Sequence, residues 1–126
     1  NKIALGHHLD DFIETLLLNQ FFVGRSAAMS VKLNADDGKN IVIRPLVYIS
    51  EEDIIEYTEL MKFPIVCCQC PLACGKEVFS DHKRKMVKEM LKNLERENPF
   101  IKNSLLTSLT NVQPSHLLDR TLWDFK

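Results

Sequence analysis

Glycine is scarce in this chain of 126 residues: Gly6, Gly24, Gly38 and Gly75 are the only four, and no two are adjacent. That excludes from the chain a glycine-rich loop that grips nucleotide phosphates with successive backbone N–H groups. Long apolar runs are absent as well. None approaches the roughly 18 residues of a membrane-spanning helix, and the first residues lack the pattern of a secretory leader, which makes the cytoplasm the default location and gives no membrane partner. An excess of one charge is missing too: 16 Lys and Arg stand against 17 Asp and Glu, for a formal net charge of −1. Any contact with nucleic acid must then come from a local basic patch. Only four cysteines occur, Cys67, Cys68, Cys70 and Cys74, crowded into one short stretch. Such a crowd cannot staple distant segments, so a disulfide framework is excluded and metal or redox chemistry is favoured. The length allows a single domain with one modest core.

The stretch that is there, and that organises the rest, is Gly6-His7-His8-Leu9-Asp10-Asp11-Phe12-Ile13-Glu14-Thr15. It follows an apolar run, Lys2-Ile3-Ala4-Leu5, that reads as a buried strand, and it precedes an amphipathic helix. Glycine at the strand end permits a sharp turn and a close approach of ligand to backbone. Asp11 with Glu14 has the spacing of a capping box, in which carboxylates satisfy free N–H groups of a first helical turn. A cap does not account for two histidines, two aspartates and the glycine together. Two acids beside two imidazoles suit a Mg²⁺-nucleotide site or proton transfer, at the strand-to-helix corner where open α/β sheets keep their ligands.

Further along, Phe12, Ile13, Leu16, Leu17 and Phe21 recur at helical spacing, predicting a helix over about Asp11 to Phe22 that Gly24 ends. Arg25 beside it faces solvent or phosphate. Met29, Val31 and Leu33 alternate, as do Ile41 and Ile43 beyond the turn Asp36-Asp37-Gly38-Lys39, which reads as a hairpin or a loop returning into a strand. Pro45 closes that strand and leaves Arg44 at its end, near the same sheet edge as His7. Ser50 before Glu51-Glu52-Asp53 starts a second helix, with Ile54, Tyr57, Thr58 and Met61 inward. Phe63-Pro64-Ile65-Val66 reads as a short strand leading to the cysteines. A long helix follows over Val78 to Glu97, with Met86, Met90, Leu91 and Leu94 on its apolar side. Its Lys85, Lys88, Lys92 and Arg96 form either a solvated face laced with Glu89, Glu95 and Glu97 or a contact for RNA phosphates. Asn98-Pro99 breaks it, and Phe100 to Leu109 forms another, with Ile101, Leu105, Leu106 and Leu109 inward. Leu117, Leu118, Leu122, Trp123 and Phe125 suggest a tail that packs down. The alternation of strands and helices predicts an α/β fold with a parallel sheet and crossover helices.

Four stretches carry a resemblance, in order and over nearly the whole chain: Gly6 to Asn19, Asp36 to Leu46, Phe63-Pro64-Ile65 before the cysteines, and Asn111-Val112-Gln113-Pro114-Ser115-His116-Leu117. Together they resemble the PP-loop (N-type) ATP pyrophosphatase superfamily and, within it, the tRNA 2-thiocytidine biosynthesis family. The resemblance implies a Rossmann-like, adenine nucleotide alpha hydrolase-like half-domain with C-terminal helices: one domain over 1–126, with the α/β portion at about 1–66 and the cysteine loop and helical tail at about 67–126. The superfamily's phosphate loop, of SGGxDS type, is the one that the scarce glycines exclude, so the chain reads as the C-terminal part of a longer protein and as inactive alone.

The implied activity is ATP-dependent 2-thiolation of a cytidine in the tRNA anticodon loop, by adenylation and then sulfur transfer. By that resemblance His7, His8, Asp10 and Asp11 are the catalytic group, the aspartates on the Mg²⁺-nucleotide side. Gly6 and Arg44 then bind nucleotide or tRNA, and Lys88 and Lys92, on the basic face of the long helix, join them as RNA-phosphate contacts. The family holds a [4Fe–4S] cluster by three cysteines. Cys68 corresponds best to the third of them, Cys74-Gly75 resembles the following Cys-Gly, and Cys67 and Cys70 are additional. The C-x-x-C and C-x-x-x-C spacings that share Cys70 equally admit zinc, with His82 as a further ligand. ATP, Mg²⁺, tRNA, a sulfur donor such as a cysteine desulfurase, and a homodimer complete the implied partners. The rival readings are another tRNA-modifying PP-loop enzyme, such as a lysidine synthetase, and a non-catalytic zinc-stabilised module that binds RNA or protein.

Overall fold

The computed structural model describes residues 1–36, 38–64 and 79–125. Three short strands form its sheet, β1 (Lys2–Ala4), β2 (Lys32–Asn34) and β3 (Ile41–Ile43), in the order β1-β3-β2. Four helices accompany them: α1 (Leu9–Leu18), α2 (Glu51–Leu60), α3 (Phe79–Glu97) and α4 (Ile101–Ser108). This is an α/β fold, but its sheet is mixed rather than parallel throughout. β1 runs parallel to β3 with Ile3 opposite Val42, while β2 runs antiparallel to β3 with Leu33 opposite Val42. The antiparallel pair is the hairpin admitted by the alternation. Its turn is closed by the Gly38 N–H donating to the Ala35 carbonyl and the Ala35 N–H to the Asn40 carbonyl.

The parallel pair decides where chemistry can sit. Because β1 and β3 point the same way, the residues that leave them emerge at one edge: Gly6-His7-His8 from β1 and Arg44 from β3. An isolated parallel bridge between His8 and Leu46 extends the alignment past both strands. The Leu9 N–H then donates to the Ile49 carbonyl at 3.0 Å, so the start of α1 is stitched to the segment that enters α2.

The core lies among helices rather than against the sheet. Phe12, Ile13, Leu16 and Leu17 of α1 are buried with Val87 and Leu91 of α3, Leu106 of α4, and Val47 from the segment between β3 and α2. Ala28, Met29, Met90, Leu105 and Leu109 pack around them. β1, expected to be buried, is exposed along its length, with Ile3 at 43%. A strand is buried only when both faces are covered, and α1 turns its apolar face onto α3 and α4 instead.

Helix boundaries follow their local chemistry. α1 starts two residues earlier than the periodicity predicts, runs on as a π-helical turn over Asn19–Val23, and ends at Gly24, whose φ of 73° is the left-handed conformation that favours glycine. Ser50 caps α2 by accepting the Asp53 N–H at 3.1 Å. Ser50→Ala is expected to lower stability by about 1 kcal/mol in urea denaturation, with the denaturant slope unchanged.

Two inward faces are only partly so. On α2, Ile54 and Thr58 are half-buried, but Tyr57 and Met61 are exposed. Tyr57 meets the Phe63 ring, edge-on at 5.8 Å, in a segment over Phe63–Pro64 that is not a strand. On α3, Val87 and Leu91 take the buried positions, Met90 is half-buried, and Met86 and Leu94 are exposed. The tail lies alongside α1 and α4, lining a cavity with Leu16, Gly24 and Leu109, yet Leu117, Leu118, Leu122, Trp123 and Phe125 all keep a third or more of their surface exposed. Ile65, Val66, Val78 and the four cysteines lie outside the described residues. Among the described residues no helix is long and apolar enough to cross a membrane.

Candidate functional site

The edge shared by β1 and β3 brings His7 and Arg44 together. The Arg44 Nε–H donates to His7 Nδ1 at 3.3 Å, and Arg44 Nη1 donates to the Ser30 carbonyl ahead of β2. A histidine that accepts at Nδ1 carries its proton on Nε2, so the guanidinium orients the His7 Nε2–H as a donor. Both side chains are half-buried. The guanidinium uses two of its three nitrogens within the molecule, and among the described residues the third has no partner.

His8 sits one residue inward, between two acids. Its Nε2 lies 3.4 Å from Asp11 Oδ2 and its Nδ1 lies 3.7 Å from Asp10 Oδ2. That Nδ1 is buried and has no hydrogen-bond partner among the described residues. Asp11 does close a cap, but with His8 rather than Glu14: its Oδ2 accepts the His8 N–H at 3.1 Å. The earlier start of α1 puts His8 at the cap position and Asp11 three residues on, the spacing a reciprocal cap needs.

Asp10 and Glu14, both buried on α1, are held by charges from α3 and α4 and by a backbone N–H of α2. Asp10 Oδ2 accepts the Glu51 N–H at 2.8 Å, at the first turn of α2, and Asp10 Oδ1 meets Lys102 Nζ of α4 at 2.7 Å. Lys102 also reaches Glu95 of α3 at 3.0 Å. Glu14 Oε2 accepts from Arg84 at 2.9 Å, and its Oε1 lies 3.5 Å from Lys88, which is itself 3.9 Å from Glu51. Arg84 Nη1 approaches Asp11 Oδ1 at 3.9 Å.

The two carboxylates respond in opposite ways. Burial works to raise the Asp10 pKa, but the Lys102 hydrogen bond, the Glu51 N–H and the charges of Lys102 and His8 outweigh it, and the pKa is lowered. For Glu14 burial prevails over the charges of Lys88 and Arg84, and its pKa is raised. Burial likewise works against the Lys102 ammonium, yet Asp10 and Glu95 overcome it and raise its pKa.

A hard cation such as Mg²⁺ needs free carboxylate oxygens. Both oxygens of Asp10 are engaged, so Asp10 does not fit as a Mg²⁺ ligand in this arrangement. Among the described residues Asp11 Oδ1 has only the distant Arg84 contact and fits better. Among the described residues no three His, Cys, Asp or Glu side chains converge as a metal-holding group. The thiols of Cys67, Cys68, Cys70 and Cys74 lie outside those residues. Gly6 lies at the same edge as His7 and Arg44, whereas Lys88 is drawn to Glu14, and Lys92 is exposed a turn beyond it on α3.

Sequence reasoning passed over Lys102, Arg84 and the α2 N-terminus. Lys102 had a signal: it shares its helical face with Leu105, Leu106 and Leu109, and a lysine on an apolar stripe needs an anion beneath it.

No family model matches the chain. Among curated proteins, it is 62% identical over 122 residues, 97% of its length, to a tRNA-cytidine(32) 2-sulfurtransferase of Geobacter metallireducens. It is 61% identical over 120 residues to the protein of that name from Geotalea uraniireducens and 51% identical over 125 residues to that of Syntrophotalea carbinolica. It covers 46% of the first two and 47% of the third, so the chain spans about half the length of the curated relatives it matches.

Proposed function

We propose that the chain belongs, over the half of their length that it spans, to the family of these tRNA-cytidine(32) 2-sulfurtransferases and serves ATP-dependent 2-thiolation of a cytidine in tRNA. The observation that carries this reading is the identity of 62% over 97% of the chain. The His7–Arg44 corner agrees with it chemically. In this reading ATP activates the C2 oxygen of cytidine by adenylation, and sulfur then displaces AMP.

Arg44 and the Nε2–H of His7 supply positive charge and a donor at one edge, where Gly6 lets an anionic group approach the backbone. His8, between Asp10 and Asp11, would bind or polarise at the same corner, and Asp11 is the carboxylate that would meet a Mg²⁺-nucleotide. Lys92, with Lys88 beside it, contacts the RNA backbone as point charges. Cys68, with Cys67, Cys70 and Cys74, offers soft thiolates that suit a [4Fe–4S] cluster, which when bound would present sulfur, or a zinc ion. A Rossmann-like half-domain in a cytoplasmic homodimer, supplied with sulfur by a donor such as a cysteine desulfurase, completes the proposal.

The test compares the chain alone with the chain extended to the full length of its relatives. Each is incubated with ATP, Mg²⁺, a sulfur source and tRNA lacking the modification, and AMP and 2-thiocytidine are measured after nucleoside digestion. The extended protein is expected to form 2-thiocytidine and release AMP, and the chain alone to do neither, because it has no glycine-rich phosphate loop. An extended protein that leaves tRNA unmodified where the Geobacter metallireducens relative modifies it would overturn the reading. A colourless protein with one stoichiometric zinc and no turnover would point instead to a binding module.

A further inference from the structure

We infer that Lys102 is a positioning residue for the His7–Asp11 corner: from α4 it holds the Asp10 carboxylate against the first N–H of α2. The corner, α2 and α4 are thereby fixed as one body. The inference rests on the preceding reading only for what the corner does, not for how it is held.

Three observations support it. Asp10 joins two other helices through its two oxygens, the Glu51 N–H of α2 at 2.8 Å and Lys102 of α4 at 2.7 Å. The ammonium continues to Glu95 of α3 at 3.0 Å, so four helices meet along one chain of charge-assisted contacts. Lys102 also occupies an apolar face beside Leu105 and Leu106, its side chain 19% exposed, where a leucine or methionine would pack without desolvating a charge. A cation at that place gives direction as well as attachment. It draws Oδ1 toward α4 and leaves Oδ2 to face the α2 N-terminus, 3.7 Å from His8 Nδ1. The groups around Asp10 are thus Lys102 from α4, Glu95 behind it from α3, the Glu51 N–H from α2 and His8 from its own turn.

The experiment uses the chain itself, in wild-type, K102M and K102R forms, with carbon-detected NMR of the Asp10 carboxyl through an acid titration and hydrogen exchange at the Glu51 amide. In K102M the Asp10 midpoint is expected to move up and the Glu51 amide to exchange about tenfold faster, as a local opening would produce. K102R is expected to restore both toward wild type. A K102M chain whose Asp10 midpoint and Glu51 exchange equal the wild type's would overturn the inference. Should K102M fail to fold, K102Q takes its place, and a neutral side chain there that leaves Glu51 exchange equal to the wild type's overturns the inference. In the extended protein, K102M is expected to lower kcat for thiolation about tenfold with the KM for ATP little changed, and K102R to restore it. Melting lowered by K102M with kcat untouched would reduce Lys102 to a stabilising residue. If the extended protein makes no 2-thiocytidine at all, the functional reading fails, while the carboxyl and amide measurements still decide the role of Lys102.

Discussion

Asp10→Ala is expected to lower the stability of the chain by about 3 kcal/mol, whereas Glu14→Gln is expected to fall within about 0.5 kcal/mol of wild type. Both residues are acids buried on α1 with cationic partners, and a count of lysine and arginine partners would give Glu14 the greater weight. What separates them is where the partners are. Removing Asp10 leaves the Lys102 ammonium four-fifths buried with Glu95 alone, and leaves the Glu51 N–H at the α2 N-terminus without its acceptor. Each loss exposes a polar group to an environment that no longer satisfies it. Arg84 and Lys88, by contrast, have side chains 41% and 49% exposed and can turn to water when the Glu14 charge is gone.

The pH dependence carries the same signature, with signs that oppose. Asp10 has a folded pKa below its ordinary 3.8, so its contribution is present above that value and is lost as pH falls through the folded pKa. Glu14 has a folded pKa above its ordinary 4.5, so the folded chain binds the extra proton and stability declines as pH rises from 4.5 through the raised value. Lys102, raised above 10.5, contributes fully below that value and ceases to as pH rises through its folded pKa. Urea denaturation across pH should therefore show Glu14→Gln overtaking wild type only above about pH 4.5, while Asp10→Ala stays below it through the neutral range. Equal losses for both variants would mean that the carboxylates form one network and that the distinction drawn here is wrong.

How much of this was legible in the sequence depends on the range of the force involved. Ser50 and Gly24 act within a turn of where they stand, and the sequence placed both the cap and the stop. The meeting of His7 with Arg44 was legible for a different reason. A proline closing one strand and a glycine ending another mark two strand ends, and the parallel pairing of β1 with β3 brings them to one edge. The burial of β1 was not legible, because an apolar strand and a covered strand look alike in one dimension, and covering is decided by which way α1 turns its apolar face. Tyr57 and Met61 failed as core residues on the same ground: their helix is tethered at its N-terminus by Asp10 and does not lie flat on the core. The capping box shifted because the start of α1 was read from hydrophobic spacing, whereas the reciprocal cap forms between His8 and Asp11, three residues earlier than Asp11 and Glu14. Lys102 was the largest omission, since its partner lies on another helix and only its place on an apolar stripe betrayed it.

Arg44→Ala is expected to reduce thiolation by the extended protein about 100- to 1000-fold in kcat/KM, with a stability loss of only about 1 kcal/mol. The small structural term follows from what Arg44 does inside the molecule: one bond to His7 Nδ1 and one to the Ser30 carbonyl, both at a half-buried edge that water can reach when the side chain is removed. The large catalytic term follows from what the guanidinium offers outward. Adenylation moves negative charge onto phosphate oxygens, and a fixed cation at the rim lowers the energy of that charge more in the transition state than in the ground state. Loss of the Nε–H also frees His7 to carry its proton on either nitrogen, so the donor at Nε2 is no longer guaranteed. Lysine cannot substitute, because one ammonium on a flexible stem does not bridge His7 and the Ser30 carbonyl while keeping a nitrogen for ligand. Arg44→Lys is therefore expected to remain at least about tenfold below wild type, although the charge is retained. Steady-state rates of AMP release and 2-thiocytidine formation at fixed salt measure this, beside a melting curve for each variant. Full activity in Arg44→Lys would show that charge alone suffices at this edge, and full activity in Arg44→Ala would remove the edge from the reaction.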